Sequence, residues 1–259
     1  MSIVWEGSRM SKSALIARYE FKMQIRKIGG WLVFAFSLAL ALFDDFPSAG
    51  NLNRLSELHK QGYVVYRLIG QPGILLLFGL MFPVSVRIYG DWKKGTLDLL
   101  TTAPIRKAQY LSGKFLGSFA YLLCMTGIYL AGNGIIQAIF TPGEFTAVPY
   151  LIGFAAIAIP ACFFLAMCAL AIPMLIDIRL FYAVFTAYFM ANLIIVPPKG
   201  VGELPFWFLL TGGLSRLVYR FNLNTLNFGN ILLNLAFLLG IGLFAGLLLR
   251  AKRQYWRAG

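Results

Sequence analysis

The charged residues of this chain are confined to short windows, and the stretches between those windows hold no Asp, Glu, Lys or Arg at all. The uncharged runs cover 28–43 (16 residues), 68–86 (19), 115–143 (29), 145–176 (32), 180–198 (19) and 221–249 (29). A helix rises about 1.5 Å per residue, so about 20 apolar residues cross a hydrocarbon layer of roughly 30 Å. Most of these runs are therefore candidate membrane spans. A solvated surface needs charges of both signs distributed along every element, which this pattern denies. With 59% hydrophobic and 13% charged residues and a mean hydropathy of +0.74, a water-soluble enzyme or nucleic-acid-binding domain is excluded.

In lipid every backbone N–H and C=O must be satisfied within the protein, which leaves helices or a closed barrel. The runs lack the polar–apolar alternation of barrel strands, so the expected fold is an all-α polytopic membrane protein. Six transmembrane helices are placed near 28–46, 68–88, 115–139, 149–175, 180–197 and 228–249, in a single transmembrane domain spanning 1–259. The first is the weakest. Its 16 uncharged residues reach only about 24 Å, so Arg26 and Lys27 must snorkel at its start.

Basic residues fix the expected orientation. With an even number of spans and both termini cytoplasmic, 17 of the 23 Lys and Arg fall inside and six outside, while the ten acids divide equally. That places +12 of the formal +13 on the inner side, as the positive-inside rule requires. The basic balance thus reports topology in a cell membrane, with the lipid bilayer as partner and no nucleic acid. The long, basic N-terminal piece and the lack of a small-residue cleavage site argue against a removable signal peptide.

Chemistry-bearing residues are few. His59 is the only histidine, and Cys124, Cys162 and Cys168 sit in apolar runs without metal-ligand spacing, so no catalytic, cofactor or metal site is expected in this chain. Gly113-Lys114 is the only Gly-Lys pair; Phe115 follows where a phosphate-binding loop needs Ser or Thr, and Ala108 stands at its first glycine position. Any nucleotide chemistry must therefore belong to another polypeptide.

The inside segment from Arg87 to Tyr110 is charged and semi-apolar at once, with Asp91, Thr96, Leu97, Asp98, Leu99, Leu100 and Ile105, and with Pro104 breaking any helix that starts near Thr96. A short helix here would offer a knob to a soluble partner; a plain interfacial turn is the alternative. Upstream, Arg18, Lys22 and Arg26 recur every four residues beside Leu15, Tyr19 and Met23, which fits a helix lying in the headgroup plane. Glu20 sits among these cations, either paired or solvated. The uncharged stretch 204–215, with Trp207, is too short to cross and suits a re-entrant or interfacial element.

Within the runs, Asn133 and Gln137 lie four apart, as do Asn230 and Asn234, and Asn192 lies in the fifth span. Such amides either bond neighbouring helices or line a polar pathway. Pro160 and Pro173 should bend the fourth span or open its hydrogen-bond ladder. Gly242 and Gly246 make a Gly-x-x-x-Gly match in the last span, either a close helix contact or a chance spacing.

The stretch Lys94-Gly95-Thr96-Leu97-Asp98-Leu99-Leu100-Thr101-Thr102-Ala103-Pro104-Ile105, followed by Tyr110-Leu111-Ser112-Gly113-Lys114-Phe115, resembles the permease subunits of ABC-2 type transporters. Ala17-Arg18-Tyr19-Glu20-Phe21-Lys22 is similar to that family's interfacial helix. The resemblance implies the ABC-2 permease fold: an N-terminal interfacial helix at 11–27, a cytoplasmic coupling helix at 91–104 and a re-entrant element at 204–215. It further implies a dimer with a second copy or a related permease, and two cytoplasmic ATPase subunits that bind ATP and Mg. Glu20, Asp91, Thr96, Leu97, Asp98, Leu99 and Pro104 would couple to the ATPases, and the usual direction is export. Family members carry drugs, peptides, lipids, polysaccharide precursors or ions. Two other functions are compatible with the residues: a stand-alone secondary carrier, disfavoured by the lack of membrane-embedded Asp, Glu or His, and a non-transporting scaffold or immunity protein.

Overall fold

The structure, a computed structural model, describes residues 11–44, 60–96, 105–140, 145–194, 218–219 and 228–251. Among them all regular structure is helical. Helix α1 (Lys12–Ile25) starts at Ser11, whose hydroxyl accepts from the Ala14 N–H at 3.3 Å, satisfying one of the donors orphaned at a helix start. It breaks at Arg26 and Lys27, and α2 (Ile28–Asp44) leaves at 61° to it. The Trp31 indole donates to the Ile25 carbonyl at 2.7 Å, closing one of the acceptors left open at that bend.

Helices α3 (Lys60–Ile69) and α4 (Gln71–Lys93) are nearly continuous, and their junction is set by Pro72. Proline has no N–H to return to the Leu68 carbonyl four residues earlier. The Tyr129 hydroxyl of α5 (Lys107–Phe140) donates to that carbonyl instead, at 3.1 Å. At 34 residues, α5 is about 51 Å long, so it outruns a hydrocarbon layer and projects its first turns, with Lys107 and Lys114, beyond the expected span of 115–139.

The fourth expected span is built in four pieces: α6 (Val148–Gly153), a π turn (Phe154–Ala158), α7 (Ile159–Ala171) and a 3₁₀ turn (Ile172–Met174). Both irregular turns sit at prolines. The π turn precedes Pro160, and the Ile159 N–H reaches back five residues to the Phe154 carbonyl, a widening that relieves the clash a proline ring makes with the turn before it. Pro173 lies inside the 3₁₀ turn. The expected opening of the ladder is present at both.

Helix α8 (Ile178–Ile194) packs on α4 through an aromatic seam, with Phe78–Phe189 and Phe82–Tyr182 centroids 5.2 and 5.0 Å apart, and the Tyr182 hydroxyl lies 3.0 Å from that of Ser85. Helix α9 (Phe228–Ala251) packs on α7, where Gly242 and Gly246 face Phe163 and Met167. That Gly-x-x-x-Gly pair is a real contact. The Lys107 ammonium donates to the Arg250 carbonyl at 2.6 Å, so the end of α9 meets the start of α5.

Among the described residues, four helical stretches are long and apolar enough to cross a membrane: Val64–Lys93, Lys107–Ile139, Val148–Met174 and Ile231–Ala251. The bent pair α1 and α2 makes a fifth if counted as one span. The six expected spans would be these four with α2 and α8, each 17 residues and about 26 Å long, which is short for an unaided crossing. The stretch 204–215 lies outside the described residues.

Candidate functional site

Helix α1 lies against the start of α5 because two glycines make room for it. A Cβ on Gly113 would stand 2.9 Å from the Ser13 carbonyl oxygen, and one on Gly117 2.6 Å from that of Ala17. Backbone oxygens cannot retreat as side chains do, so any larger residue would lift α1 away. Just beyond this contact, Ser112 donates to the Ser13 hydroxyl at 3.1 Å.

The close approach sinks Glu20 into the protein, where it is 1% exposed. Its carboxylate is held from two sides. The Arg87 guanidinium of α4 binds both oxygens, Nε to Oε1 and Nη2 to Oε2 at 3.2 Å, the forked geometry that suits Arg to carboxylates. The Lys114 ammonium of α5 reaches Oε2 at 2.7 Å. Lys114 also bridges to Asp91 Oδ2 at 2.7 Å, and the Tyr110 hydroxyl donates to the same oxygen at 2.7 Å. Gln24, one turn along α1, donates to Glu20 at 2.9 Å and to Ser118 at 2.7 Å. Two anions and two cations thus close a neutral network that ties α1, α4 and α5 together.

Burial works to raise the Glu20 carboxyl, but the hydrogen bond from Arg87 and the charges of Lys114 and Arg87 outweigh it and hold the group below its ordinary value. The carboxylate is therefore the resident form. A buried charge pair of this kind adds little net stability, because the desolvation of each ion offsets much of the attraction, whereas losing one partner strands the other.

The segment expected as a coupling helix starts differently. Asp91 belongs to the last turn of α4 and faces the network, so the expected boundary at 91 falls inside the preceding helix. That helix stops at Gly95, whose φ of 68° is left-handed backbone that glycine adopts without penalty. Thr96 follows as a half-buried residue, while Leu97, Asp98, Leu99 and Pro104 lie outside the described residues. Glu20, assigned by the resemblance to an ATPase contact, turns inward toward this chain's own cations.

Among the described side chains, the amides Asn133 and Gln137 of α5 bond different partners. Asn133 donates back to the Tyr129 carbonyl of its own helix at 2.9 Å, and Gln137 accepts from the Tyr150 hydroxyl at 2.8 Å, joining α5 to α6. Asn234 is buried in α9. Asn192 and Asn230 lie in α8 and α9, with side chains outside what the structure describes. Among the described residues no group of three His, Cys, Asp or Glu side chains converges.

Arg87, Lys114, Tyr110, Gln24 and Ser118 were not singled out by the sequence pattern. The available signal was position: Arg87 and Lys114 each abut the end of an uncharged run, where an ionisable group must snorkel or be paired. No protein-family model and no curated protein matches the chain.

Proposed function

We propose that the chain is the membrane-spanning subunit of an ATP-driven transporter, an exporter, that forms the substrate pathway and is moved by separate cytoplasmic ATPase subunits. The observation that carries this reading is the network of Glu20, Arg87, Asp91 and Lys114. It fuses α1 to the ends of the two helices that flank the 94–106 segment, so a push on that segment is delivered to α4 and α5 as one body. A helix pair without this clamp would absorb the push as local bending. The apolar helices support a membrane location, and the sequence from Lys94 to Phe115 supports the ABC-2 permease class. In this reading both termini are cytoplasmic, the permease works as a dimer, ATP and Mg are held by the ATPases, and the chain itself is no enzyme.

The test is co-expression with a candidate ATPase, followed by co-purification in detergent and an ATPase assay. Replacing Leu97, Asp98 and Leu99 with alanine should abolish association and return hydrolysis to the rate of the isolated ATPase. Association at the wild-type level in that triple variant would remove the segment from the coupling role, and transport by the chain alone on an ion gradient would point to a secondary carrier.

A further inference from the structure

The outer face of α1 has a chemistry that the ion network leaves unused. Lys12, Arg18, Lys22, Arg26 and Lys27 are all exposed, and the single acid of the helix, Glu20, is the residue turned inward and neutralised. Every charge that α1 presents outward is therefore positive. Between the cations runs an apolar strip, Leu15, Tyr19 and Met23, which are 46%, 59% and 46% exposed. Their four-residue spacing resumes beyond the bend as Ile28, Leu32 and Phe36 on α2, also exposed. Trp31, a residue type enriched at the headgroup level, marks the bend with its indole bonded to the Ile25 carbonyl.

We propose that this face is a binding surface for anionic phospholipid headgroups of the leaflet on the α1 side. The geometry supplies both halves of such a site. The 61° bend lays α1 across the direction of α2, so its apolar strip can enter the acyl boundary while the guanidinium and ammonium groups meet phosphate. An acidic protein surface would satisfy the cations but would leave the strip, continuous with the apolar side of α2, without a partner of its own kind. Lipid satisfies both. The inference stands independently of the transport reading, since it needs only that α2 enters a bilayer.

The experiment is native mass spectrometry of the full chain, purified in neutral detergent and titrated separately with dioleoyl phosphatidylglycerol and dioleoyl phosphatidylcholine. The wild type should bind phosphatidylglycerol preferentially, and binding should weaken as salt is raised. In the variant Arg18→Gln/Lys22→Gln/Arg26→Gln, affinity for phosphatidylglycerol should fall about a hundredfold, at about fivefold per cation removed, with phosphatidylcholine unchanged. Arg18→Lys/Arg26→Lys should stay close to wild type, because the charge is retained. Equal binding of the two lipids by the wild type, or an undiminished preference in the triple Gln variant, would overturn the proposal. So would binding to an acidic soluble protein that the triple variant loses while it keeps the lipid. Circular dichroism of the variants reports their folding, and the salt series on the wild type tests the proposal without any substitution.

Discussion

Glu20 is the residue on which the candidate site turns, because it alone touches both cations. Replacing it with alanine leaves Arg87 without its carboxylate and Lys114 with Asp91 alone, and should destabilise the protein by about 3–5 kcal/mol. Removing charge from both sides, as in Glu20→Gln/Arg87→Gln, should be milder than the Glu20→Ala change, because no cation is orphaned; thermal melting of the detergent-solubilised variants measures the order. The same residue sets an acid limit. Its folded-state carboxyl titrates below the ordinary 4.5, so its contribution is fully present above that value and is lost as pH falls through the lower folded value. Melting temperatures should therefore carry an acid-side decline that is absent from Glu20→Gln, and identical profiles for the two proteins would show that the carboxylate is not held as the geometry indicates. Sequence exposed the question but not the answer. The cations at 18, 22 and 26 surround Glu20 in one dimension, yet none of them binds it; the partners lie 67 and 94 residues away, beyond the reach of any local pattern.

At the level of elements, helix type and rough placement were legible because uncharged runs and prolines act locally. The π and 3₁₀ turns at Pro160 and Pro173 follow from a missing N–H, a property of one residue. Helix ends were less legible. The expected start of the third span at 115 marks where charge stops, whereas α5 begins at Lys107, because Tyr110 and Lys114 find partners on α1 and α4 and need no water. Which glycines make contacts was legible only in part: Gly242 and Gly246 match a known spacing inside one uncharged run, while Gly113 and Gly117, with the same spacing, straddle the lysine at which the third run begins. Gly117 gives the sharper test. Valine there must push on the Ala17 carbonyl, at a cost of about 1–3 kcal/mol or more, and the cheapest relief is for α1 to lift. Paired cysteines at Ser13 and Ser112, whose hydroxyls are 3.1 Å apart, should oxidise to a disulfide in a background lacking the native cysteines. Gly117→Val should slow that cross-link by about tenfold, the change expected if roughly 1.4 kcal/mol of docking is lost; an unchanged rate would mean that α1 accommodates the side chain in place.

For the whole molecule, the arrangement of helix ends and the distribution of charge make the same demand. The start of α5 meets α1 and the end of α4 through Lys114 with Glu20 and Asp91, and it meets the end of α9 through Lys107 with Arg250. The connection between α5 and α6 lies a full length of α5 away, where Gln137 meets Tyr150. Moving the basic group of ends to the outer side of a cell membrane would carry most of the 23 Lys and Arg against the rule that retains them inside. Single cysteines at three exposed positions separate the possibilities: Lys12, Ala147 and Ala251. A membrane-impermeant maleimide should label Ala147→Cys on intact cells and reach Lys12→Cys and Ala251→Cys only in inverted vesicles. Labelling of Lys12→Cys and Ala251→Cys from opposite sides would require an odd number of crossings, so that either α2 or α8, the two helices of 17 residues, fails to cross. With 12 and 251 on one side and 147 on the other, both short helices must cross, and at about 26 Å each they would do so by thinning the bilayer or by taking in the snorkelling ends of Lys27 and Arg179.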